Sequence, residues 1–464
     1  MLQPLFEADV LRRYDQSGPR YTSYPTAPQF HDGFGETDLR EHARRSNADL
    51  IPRSLSLYVH VPFCFSPCFY CGCNRIVTRD AARGALYLER LLCEIELTAP
   101  LFDIDRDVVQ LHFGGGTPNF LSPQQLARIV DRLDARFHFS GAKERDFSIE
   151  LDPRSIACDE VAALVNLGLN RASLGVQDFD PAVQSAVNRV QSEAHTLALI
   201  EACRRAGMRS INVDLIYGLP MQTRAGFART LASVLSARPD RIAVYGYAHL
   251  PNLFRAQTQI DADDLPSVDE KLGLLQMAID TLTAAGYQYI GMDHFALPDD
   301  ELSLAQERGA LHRNFMGYTT HADCDLVGLG VSAISHIGDS FSQSPRDLPS
   351  WEMAIDAGRL PVWRGVSLGD DDVLRGVVIQ SLMCHGQIDI SAIEHRYGID
   401  FSTYFASALE QLRALQADGL ATVSSTHIVA TPIGRLLLRR IAMCFDAYLD
   451  SATRKPVQQY SRVI

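Results

Sequence analysis

Short apolar runs rich in β-branched and aromatic residues alternate with amphipathic stretches through the first half of the chain. The apolar runs, each followed by Gly, Pro or polar residues, are LSLYVHV (55–61), VVQLHF (108–113), FSIELD (147–152), RASLGV (171–176), SINVDLIYG (210–218) and RIAVYGYAHL (241–250). The amphipathic stretches are 84–98, 123–137, 159–167, 192–206 and 224–236. This alternation predicts repeated βα units, and therefore an α/β fold with a parallel sheet and outer helices. Six units predict a partial (β/α)6 barrel.

The pattern differs at the two ends of the chain. The segment PRYTSYPTAPQF (19–30) is aromatic and rich in turn residues but has no helical or strand period, so residues 1–50 are predicted to form an ordered N-terminal arm. After the barrel domain with its extension (51–365), helical patterns dominate a predicted C-terminal domain (366–464). Its predicted elements are helices at 372–384, 390–397, 402–417 and 432–449 and a short hairpin around Ser424, Ser425 and Thr426. This order resembles a winged helix.

Composition and charge narrow the class of protein. The 464 residues suffice for a large catalytic domain and a smaller accessory unit. The net charge of −13, with one Arg and no Lys in FSTYFASALEQLRALQADG (401–419), argues against a nucleic-acid partner. No stretch approaches the roughly 20 apolar residues of a membrane span, and the N-terminus lacks the apolar core of a signal peptide. We therefore expect a cytoplasmic protein without membrane contact, and a monomer because no heptad pattern is evident.

Four of the ten cysteines lie within ten residues, directly after the first predicted strand. The segment HVPFCFSPCFYCGCN (60–74) spaces Cys64, Cys68 and Cys71 as C-x3-C-x2-C and adds Cys73. Three thiolates on one loop can bind three irons of a 4Fe–4S cluster and leave the fourth iron open for the amino and carboxylate groups of S-adenosylmethionine (SAM). The alternative is a zinc site of all four cysteines, but four ligands on one short loop close a tetrahedron poorly. The spacing assigns no cluster role to Cys73.

Further motifs accompany the cysteine loop along nearly the whole chain. They are RYTSYPT (20–26), GGGTP (114–118), GVQDF (175–179), DLIYGLP (214–220), YAHLP (247–251), GMDHFA (291–296), HRNFMGYTT (312–320), GVSAIS (330–335) and SRVI (461–464). With the extended loop C-x3-C-x2-C-x-C, these motifs resemble the oxygen-independent coproporphyrinogen III oxidases of the radical SAM superfamily.

The resemblance implies a specific set of cofactor-binding residues. It implies that Cys64, Cys68 and Cys71 bind the 4Fe–4S cluster and that two SAM molecules are bound and consumed as co-substrate. The residues implied for the first SAM are Tyr58, Gly115, Glu150, Ala248 and Ile334. The residues implied for the second SAM are Tyr70, Gly116, Thr117, Gln177, Arg189 and Asp214. No catalytic side chain is assigned beyond the cluster and SAM.

The resemblance also implies the reaction. It is the oxidative decarboxylation of two propionates of coproporphyrinogen III to vinyl groups, which gives protoporphyrinogen IX in heme biosynthesis. A 5′-deoxyadenosyl radical from SAM starts each step, so the enzyme needs an electron donor and an acceptor but no oxygen, and its exposed cluster requires anaerobic handling. The arm (1–50) would close over the active site. Arg20, Arg75 and Arg313 are candidates for the propionates, because a guanidinium pairs well with a carboxylate.

Two other functions fit a radical SAM barrel. One is a heme-binding chaperone without oxidase activity, and the other is a radical reaction on a different tetrapyrrole or carboxylate. The RYTSYPT arm and the C-x-C extension favour the oxidase over the chaperone, as does HRNFMGYTT at 312–320, where the chaperones have an HN-x-x-YW motif.

Overall fold

The computed structural model describes residues 4–142, 145–450 and 460–462, which form two compact units. The barrel unit consists of Phe30–Met277 and Asp323–Ser367. The terminal unit consists of the described residues of Met1–Gln29, Ala278–Ala322 and Leu368–Ile464. The last two residues of the SRVI motif lie outside the described residues. None of the helices in the described part of the chain is long and apolar enough to span a bilayer.

The barrel unit contains a parallel sheet in which all six predicted strands are confirmed. We number its strands from the N-terminus, and β1 to β6 are Ser54–Val61, Asp107–Gly115, Asp146–Leu151, Arg171–Gln177, Ser210–Tyr217 and Arg241–Gly246. Each strand pairs in parallel with the next in the sequence, as in a partial (β/α)6 barrel. Strand β6 ends at Gly246 rather than at residue 250, because residues 247–250 leave the sheet.

Four shorter strands extend the sheet beyond β1. They are β7 (Cys324–Leu329), β8 (Ile334–His336), β9 (Ser340–Gln343) and β10 (Arg364–Ser367). Strand β7 pairs with β1 in parallel, and β8 to β10 continue as antiparallel strands. Outside this path, Phe63–Cys64 pairs with Ile76–Val77, and His138–Phe139 pairs with β2.

Helices connect the parallel strands, as predicted. Those of the barrel unit are Glu36–Asn47, Ala81–Thr98, Pro123–Arg136, Val161–Asn166, Pro181–Ala186, Glu193–Ala206, Arg224–Ala237 and Leu348–Asp356. In Pro123–Arg136, the Ser122 hydroxyl accepts from the Gln125 N–H and Pro123 occupies the first turn, which fixes the start of the helix. Its apolar residues recur at helical spacing and are buried, so this helix covers the sheet.

The terminal unit is mostly helical, with the predicted winged-helix order. Its helices are Ala8–Tyr14, Glu301–Glu307, Asp370–His385, Ile390–Tyr397, Phe401–Tyr404, Ala406–Ala417, Leu438–Ala442 and Ala447–Asp450, and Val268–Ala284 has residues in both units. Two antiparallel strand pairs belong to this unit, Gln288–Gly291 with His294–Ala296 and His312–Asn314 with Gly317–Thr319. The predicted hairpin is formed by Ala421–Val423 and His427–Ala430. The second strand of this hairpin, His427–Ala430, also pairs with Gln387–Asp389.

Two predicted helices of this unit are wrong in detail. The helix predicted at 402–417 is interrupted at Phe405, and the helix predicted at 432–449 is four short turns. In the second case, buried residues occur at adjacent positions, among them Leu437, Leu438 and Ile441. The segment is therefore packed on several sides and lacks the single apolar stripe of a surface helix, and it alternates between short 3-10 and α-helical turns.

Candidate active site

The loop after β1 carries the predicted cluster ligands, and their sulfur atoms accept hydrogen bonds. Thr117 Oγ1 donates to Cys64 Sγ at 3.4 Å, and the Cys73 backbone N–H donates to Cys71 Sγ at 3.4 Å. The hydrogen bond from the Cys73 thiol lowers the pKa of Cys71, whereas burial raises the pKa of Cys64 to about 11. Cys73, which has no role in the cysteine spacing, thus stabilises the thiolate of Cys71.

Two arginines surround the third sulfur. Arg154 Nη2 and Arg189 Nη1 each lie 3.5 Å from Cys68 Sγ. Both arginines also pair with Asp152, at 2.6 Å from Arg154 and 3.3 Å from Arg189. Since two guanidinium groups share one carboxylate, net positive charge remains next to the sulfur.

The cysteine loop fits an anionic iron–sulfur cluster. Among the described residues, no three His, Cys, Asp or Glu side chains converge on one metal ion. The thiolates of a cubane cluster need not converge, because each binds a different iron. Hydrogen-bond donors to the ligand sulfurs and nearby positive charge are the features by which proteins stabilise such clusters and tune their potential.

Arg75 supports this loop from within. Its Nη1 donates to the Cys71 carbonyl and its Nη2 to the Cys68 carbonyl, both at 3.0 Å. These two bonds fix the backbone between two predicted ligands. Both Nη groups of Arg75 are thus engaged by the loop, while its buried Nε has no hydrogen-bond partner among the described residues, and its role as a propionate ligand stays a prediction.

The ends of β1, β2 and β3 bring together three residues implied for the first SAM. The Gly115 N–H donates to Glu150 Oε2 at 3.1 Å, and the Tyr58 ring stacks on His112 with centroids 5.8 Å apart. His112 Nε2 lies 3.4 Å from Glu150 Oε1, and the Tyr58 hydroxyl lies 3.0 Å from His60 Nδ1. The sequence analysis missed both histidines, although His60 stands in the HVPFC segment and His112 directly precedes FGGG.

The glycine run after β2 lies against the start of the cysteine loop. A Cβ on Gly116 would be 2.6 Å from the Pro62 carbonyl oxygen and 2.9 Å from that of Phe63. Gly115 has a φ of +118°, which also favours glycine. These residues allow the backbone approach that aligns Thr117 with Cys64, so the glycine motif and the cysteine motif form one structural element.

Strand β4 carries a second group of predicted residues. Arg189 Nη2 donates to the Gly175 carbonyl at 2.5 Å, next to a bulge between Gly175 and Gln177. Gln177 has a φ of +66°, and its Oε1 is buried without a hydrogen-bond donor among the described residues. An unsatisfied buried acceptor at a strand end is a suitable contact for a bound polar group.

Asp214 belongs to a group of hydrogen-bonded polar side chains on β4 and β5. Its carboxylate accepts from the Ser173 hydroxyl and from Asn212 Nδ2, both at 2.9 Å. Burial, together with the charge of Glu150, raises the pKa of Asp214 to about 6. Asp214 is thus electrostatically linked to the group at the ends of β1 to β3.

Three predicted SAM residues remain, Tyr70, Ala248 and Ile334, and the structure shows contacts of their backbone atoms. Gln257 Nε2 donates to the carbonyls of Tyr70 and Ala248, at 2.9 Å and 3.2 Å, and connects the cysteine loop to the segment after β6. Ile334 begins β8, and its carbonyl oxygen lies 2.6 Å from the Cβ position of Gly328 on β7. Sequence reasoning missed Gln257, which lies in a segment without a recognisable motif.

A parallel α/β barrel with a three-cysteine loop after its first strand defines a radical SAM protein. The model of the radical SAM superfamily matches residues 58–234, and that of the HemN C-terminal domain matches residues 368–437. The chain belongs to the oxygen-independent coproporphyrinogen III oxidase family, whose radical SAM domain implies a 4Fe–4S cluster and SAM.

Curated relatives and a solved structure support this membership. The oxygen-independent coproporphyrinogen III oxidase of Pseudomonas aeruginosa is 51% identical over 99% of both chains. That of Escherichia coli is 48% identical over 98% of both chains. The solved structure of coproporphyrinogen III oxidase (HemN) from Escherichia coli, described as a radical SAM enzyme, matches with a TM-score of 0.91 at 47% identity and covers 96% of this chain and 100% of that one.

Proposed function

We propose that this chain catalyses the oxygen-independent oxidative decarboxylation of two propionates of coproporphyrinogen III, giving the vinyl groups of protoporphyrinogen IX in heme biosynthesis. The observation that carries the proposal is the loop of Cys64, Cys68 and Cys71, in which each sulfur accepts a hydrogen bond. Near-complete coverage of relatives that bear the name of this activity supports the choice of substrate.

The proposed cofactors are one 4Fe–4S cluster on the three cysteines and two SAM molecules. When bound, the cluster and SAM supply a 5′-deoxyadenosyl radical, which removes a hydrogen atom from the propionate before CO2 leaves. We assign Tyr58, Gly115, Glu150, Ala248 and Ile334 to the first SAM. We assign Tyr70, Gly116, Thr117, Gln177, Arg189 and Asp214 to the second.

The side chains of the site have roles that follow from their charge. Arg154 and Arg189 offset the negative charge of Cys68 and pair with Asp152. Glu150 offers a half-exposed carboxylate, with its side chain 45% accessible, to hydroxyl or amino groups of SAM. His112 and the Gly115 N–H position Glu150, His60 contacts the Tyr58 hydroxyl, and neither histidine transfers a proton in the proposed reaction.

The remaining partners and boundaries are proposed on the basis of the sequence. They comprise a separate electron donor and acceptor, a monomeric state, and the cytoplasm, whose reducing conditions suit ten unpaired cysteines. Residues 1–50 are proposed as an arm over the active site, 51–365 as the catalytic domain and 366–464 as the helical domain.

An anaerobic assay tests the proposal. The protein is reconstituted with iron and sulfide and supplied with SAM, a reductant and coproporphyrinogen III, and protoporphyrin, CO2 and 5′-deoxyadenosine are measured by chromatography. We expect all three products from the wild type, none from Cys68→Ala, and wild-type amounts from Cys93→Ala, which changes an exposed cysteine. SAM cleavage without CO2 would refute the substrate, and stoichiometric heme binding without SAM cleavage would indicate a chaperone.

A further inference from the structure

Four arginines lie close together in the terminal unit and come from all three of its chain segments. They are Arg20, Arg313, Arg435 and Arg439. The Arg20 side chain is 37% exposed and forms an ion pair with Asp293. The other three are buried, with exposures of 3%, 7% and 2%. The cluster therefore has one accessible member and three members removed from water.

Arg439 is fully engaged by the backbone. Its guanidinium donates to the carbonyls of Pro19 at 2.9 Å, Ser461 at 3.1 Å and Arg462 at 2.6 Å. Burial and the charge of Arg20 lower the pKa of Arg439 to about 9. Arg439 thus fixes the chain around the cluster, in surroundings that disfavour further positive charge.

Arg313 differs from Arg439 in its partners. Its Nε and Nη1 are buried and make no hydrogen bond to any residue that the structure describes. Its Cζ lies 4.9 Å from the centroid of the Tyr318 ring, and the Tyr318 hydroxyl donates to the Met383 carbonyl at 2.9 Å. Arg435, whose charge also acts on Tyr318, likewise has a buried Nε without a partner in the described part of the chain.

A buried guanidinium without an acceptor is costly, because it loses its hydration and cannot release its proton. The nearby carboxylate of Asp293 is already paired with Arg20. A carboxylate is the ligand that best satisfies such donors, since its two oxygens can accept parallel N–H bonds from one guanidinium.

We propose that this arginine cluster is a carboxylate-binding site in which Arg313, with Arg435 beside it, binds a propionate of the tetrapyrrole substrate. The identity of the carboxylate rests on the proposed function. The site itself rests on the unpartnered donors of the described residues, the local excess of positive charge and the accessible side chain of Arg20.

Binding can be measured without the cluster or SAM. Coproporphyrin III, the stable oxidised form with the same four propionates, serves as the fluorescent probe for titration of the full chain. We expect Arg313→Met to weaken binding at least about tenfold, the effect of losing a charged hydrogen-bonded pair. Arg413→Met, which removes a 76% exposed arginine of the same unit, should leave the affinity unchanged. The tetramethyl ester of the probe should bind wild type and Arg313→Met equally.

The melting temperatures of the same variants show whether weaker binding comes from the loss of Arg313 or from misfolding. Removal of an unpaired buried charge is expected to keep or raise the melting temperature, so weaker binding by a stable Arg313→Met protein supports the site. If that variant does not fold, Arg313→Lys retains the charge, lacks the planar fork, and should still bind the probe less tightly than the wild type.

Two results would overturn the inference. One is an unchanged affinity of Arg313→Met or Arg313→Lys for the probe, and the other is a lower melting temperature of a folded Arg313→Met, which would show that Arg313 has partners in the fold. A wild type that binds the probe through Arg313 but forms no vinyl product would instead refute the proposed reaction and leave the carboxylate site in place.

Discussion

Arginines near the cysteine loop and arginines of the terminal cluster are buried to similar degrees but differ in what their guanidinium groups contact. In the barrel unit, both Nη groups of Arg189 have partners, which are Asp152, the Gly175 carbonyl and the Cys68 sulfur, and its Nε alone lacks an acceptor among the described residues. In the terminal unit, Arg313 faces an aromatic ring, and two of its nitrogens have no acceptor among the described residues.

The difference indicates two kinds of binding site. Side chains with fixed partners are held in one geometry before a ligand arrives, which suits a cofactor that must be positioned with high accuracy. Donors without partners gain their hydrogen bonds only when an anion arrives, which suits a substrate that binds and leaves. Substitutions at residues of each kind test whether the two regions differ in this way.

The largest effect is expected from Gly116→Ala in the barrel unit. The new Cβ would lie 2.6 Å from the backbone oxygen of Pro62, so the segment leading to Cys64 must move. We expect iron content after reconstitution and decarboxylation to fall more than about 100-fold, because three preorganised sulfurs are required. Gly141→Ala is the control, since its Cβ would meet nothing within 4 Å. Full iron content in Gly116→Ala would show that the close approach is dispensable.

The next effect contrasts two arginines of the terminal unit. Arg439→Met removes the donor to the carbonyls of Gly18 and Pro19, two buried residues. We expect the free energy of unfolding in urea to drop by about 3 kcal/mol, whereas Arg313→Met should leave it equal or higher. Equal losses in both variants would contradict the distinction between partnered and unpartnered arginines.

A smaller effect is expected from Arg189→Met next to the cluster ligands. The change removes one positive charge and one hydrogen-bond donor from Cys68. Changes in the residues that support metal ligands typically cost about 10–100-fold in activity, and loss of a donor to sulfur lowers the reduction potential of a cluster. Anaerobic turnover and a redox titration measure both effects. Arg128→Met, in a half-exposed ion pair of the same unit, should alter neither.

The fold could be predicted from the sequence where strands are buried on both faces of the sheet, because such strands are continuous apolar runs. Strands β1 to β6 are apolar runs of six to nine residues, long enough to be distinguished from helices. Strands β8 and β9 have only three and four residues and include several serines, so no period could indicate them. The segment 432–449 failed for the opposite reason, because burial on several sides removes the amphipathic stripe on which helix prediction depends.

From residue spacing alone, without the family resemblance, the site was predictable only where its residues are close in the sequence. The three cysteines lie on one loop, and their spacing alone indicates a cluster. His112 contacts Tyr58 because β1 and β2 pair in a register that places these residues side by side, and no spacing in the sequence encodes that register. Arg20 and Arg313 were both candidates for the propionates, but their association with Arg435 and Arg439 depends on tertiary packing and could not be inferred from separate motifs.

The smallest predicted effect concerns a buried acid, Glu94, on the helix Ala81–Thr98. Its carboxyl accepts from the Gly330 N–H at 2.7 Å and from Trp351 Nε1 at 3.2 Å, and burial raises its pKa to about 8. A carboxyl can avoid an unpaired buried charge by retaining its proton, whereas a guanidinium such as that of Arg313 cannot and needs an anion.

The pH dependence of stability follows from this pKa. The folded state holds a proton on Glu94 that the unfolded state loses above about pH 4.5, so the contribution of Glu94 is fully present below that pH and is lost as pH rises towards 8. Between pH 6 and pH 7, the wild type should lose about 1 kcal/mol of unfolding free energy relative to Glu94→Gln in urea titrations. Glu89→Gln, with a side chain 59% exposed on the same helix, should keep the wild-type dependence. Parallel pH profiles for the wild type and Glu94→Gln would mean that Glu94 is already ionised in the folded protein. A buried group of the barrel unit would then carry an unpaired charge without any ligand, and an unpaired charge on Arg313 would no longer indicate a missing ligand.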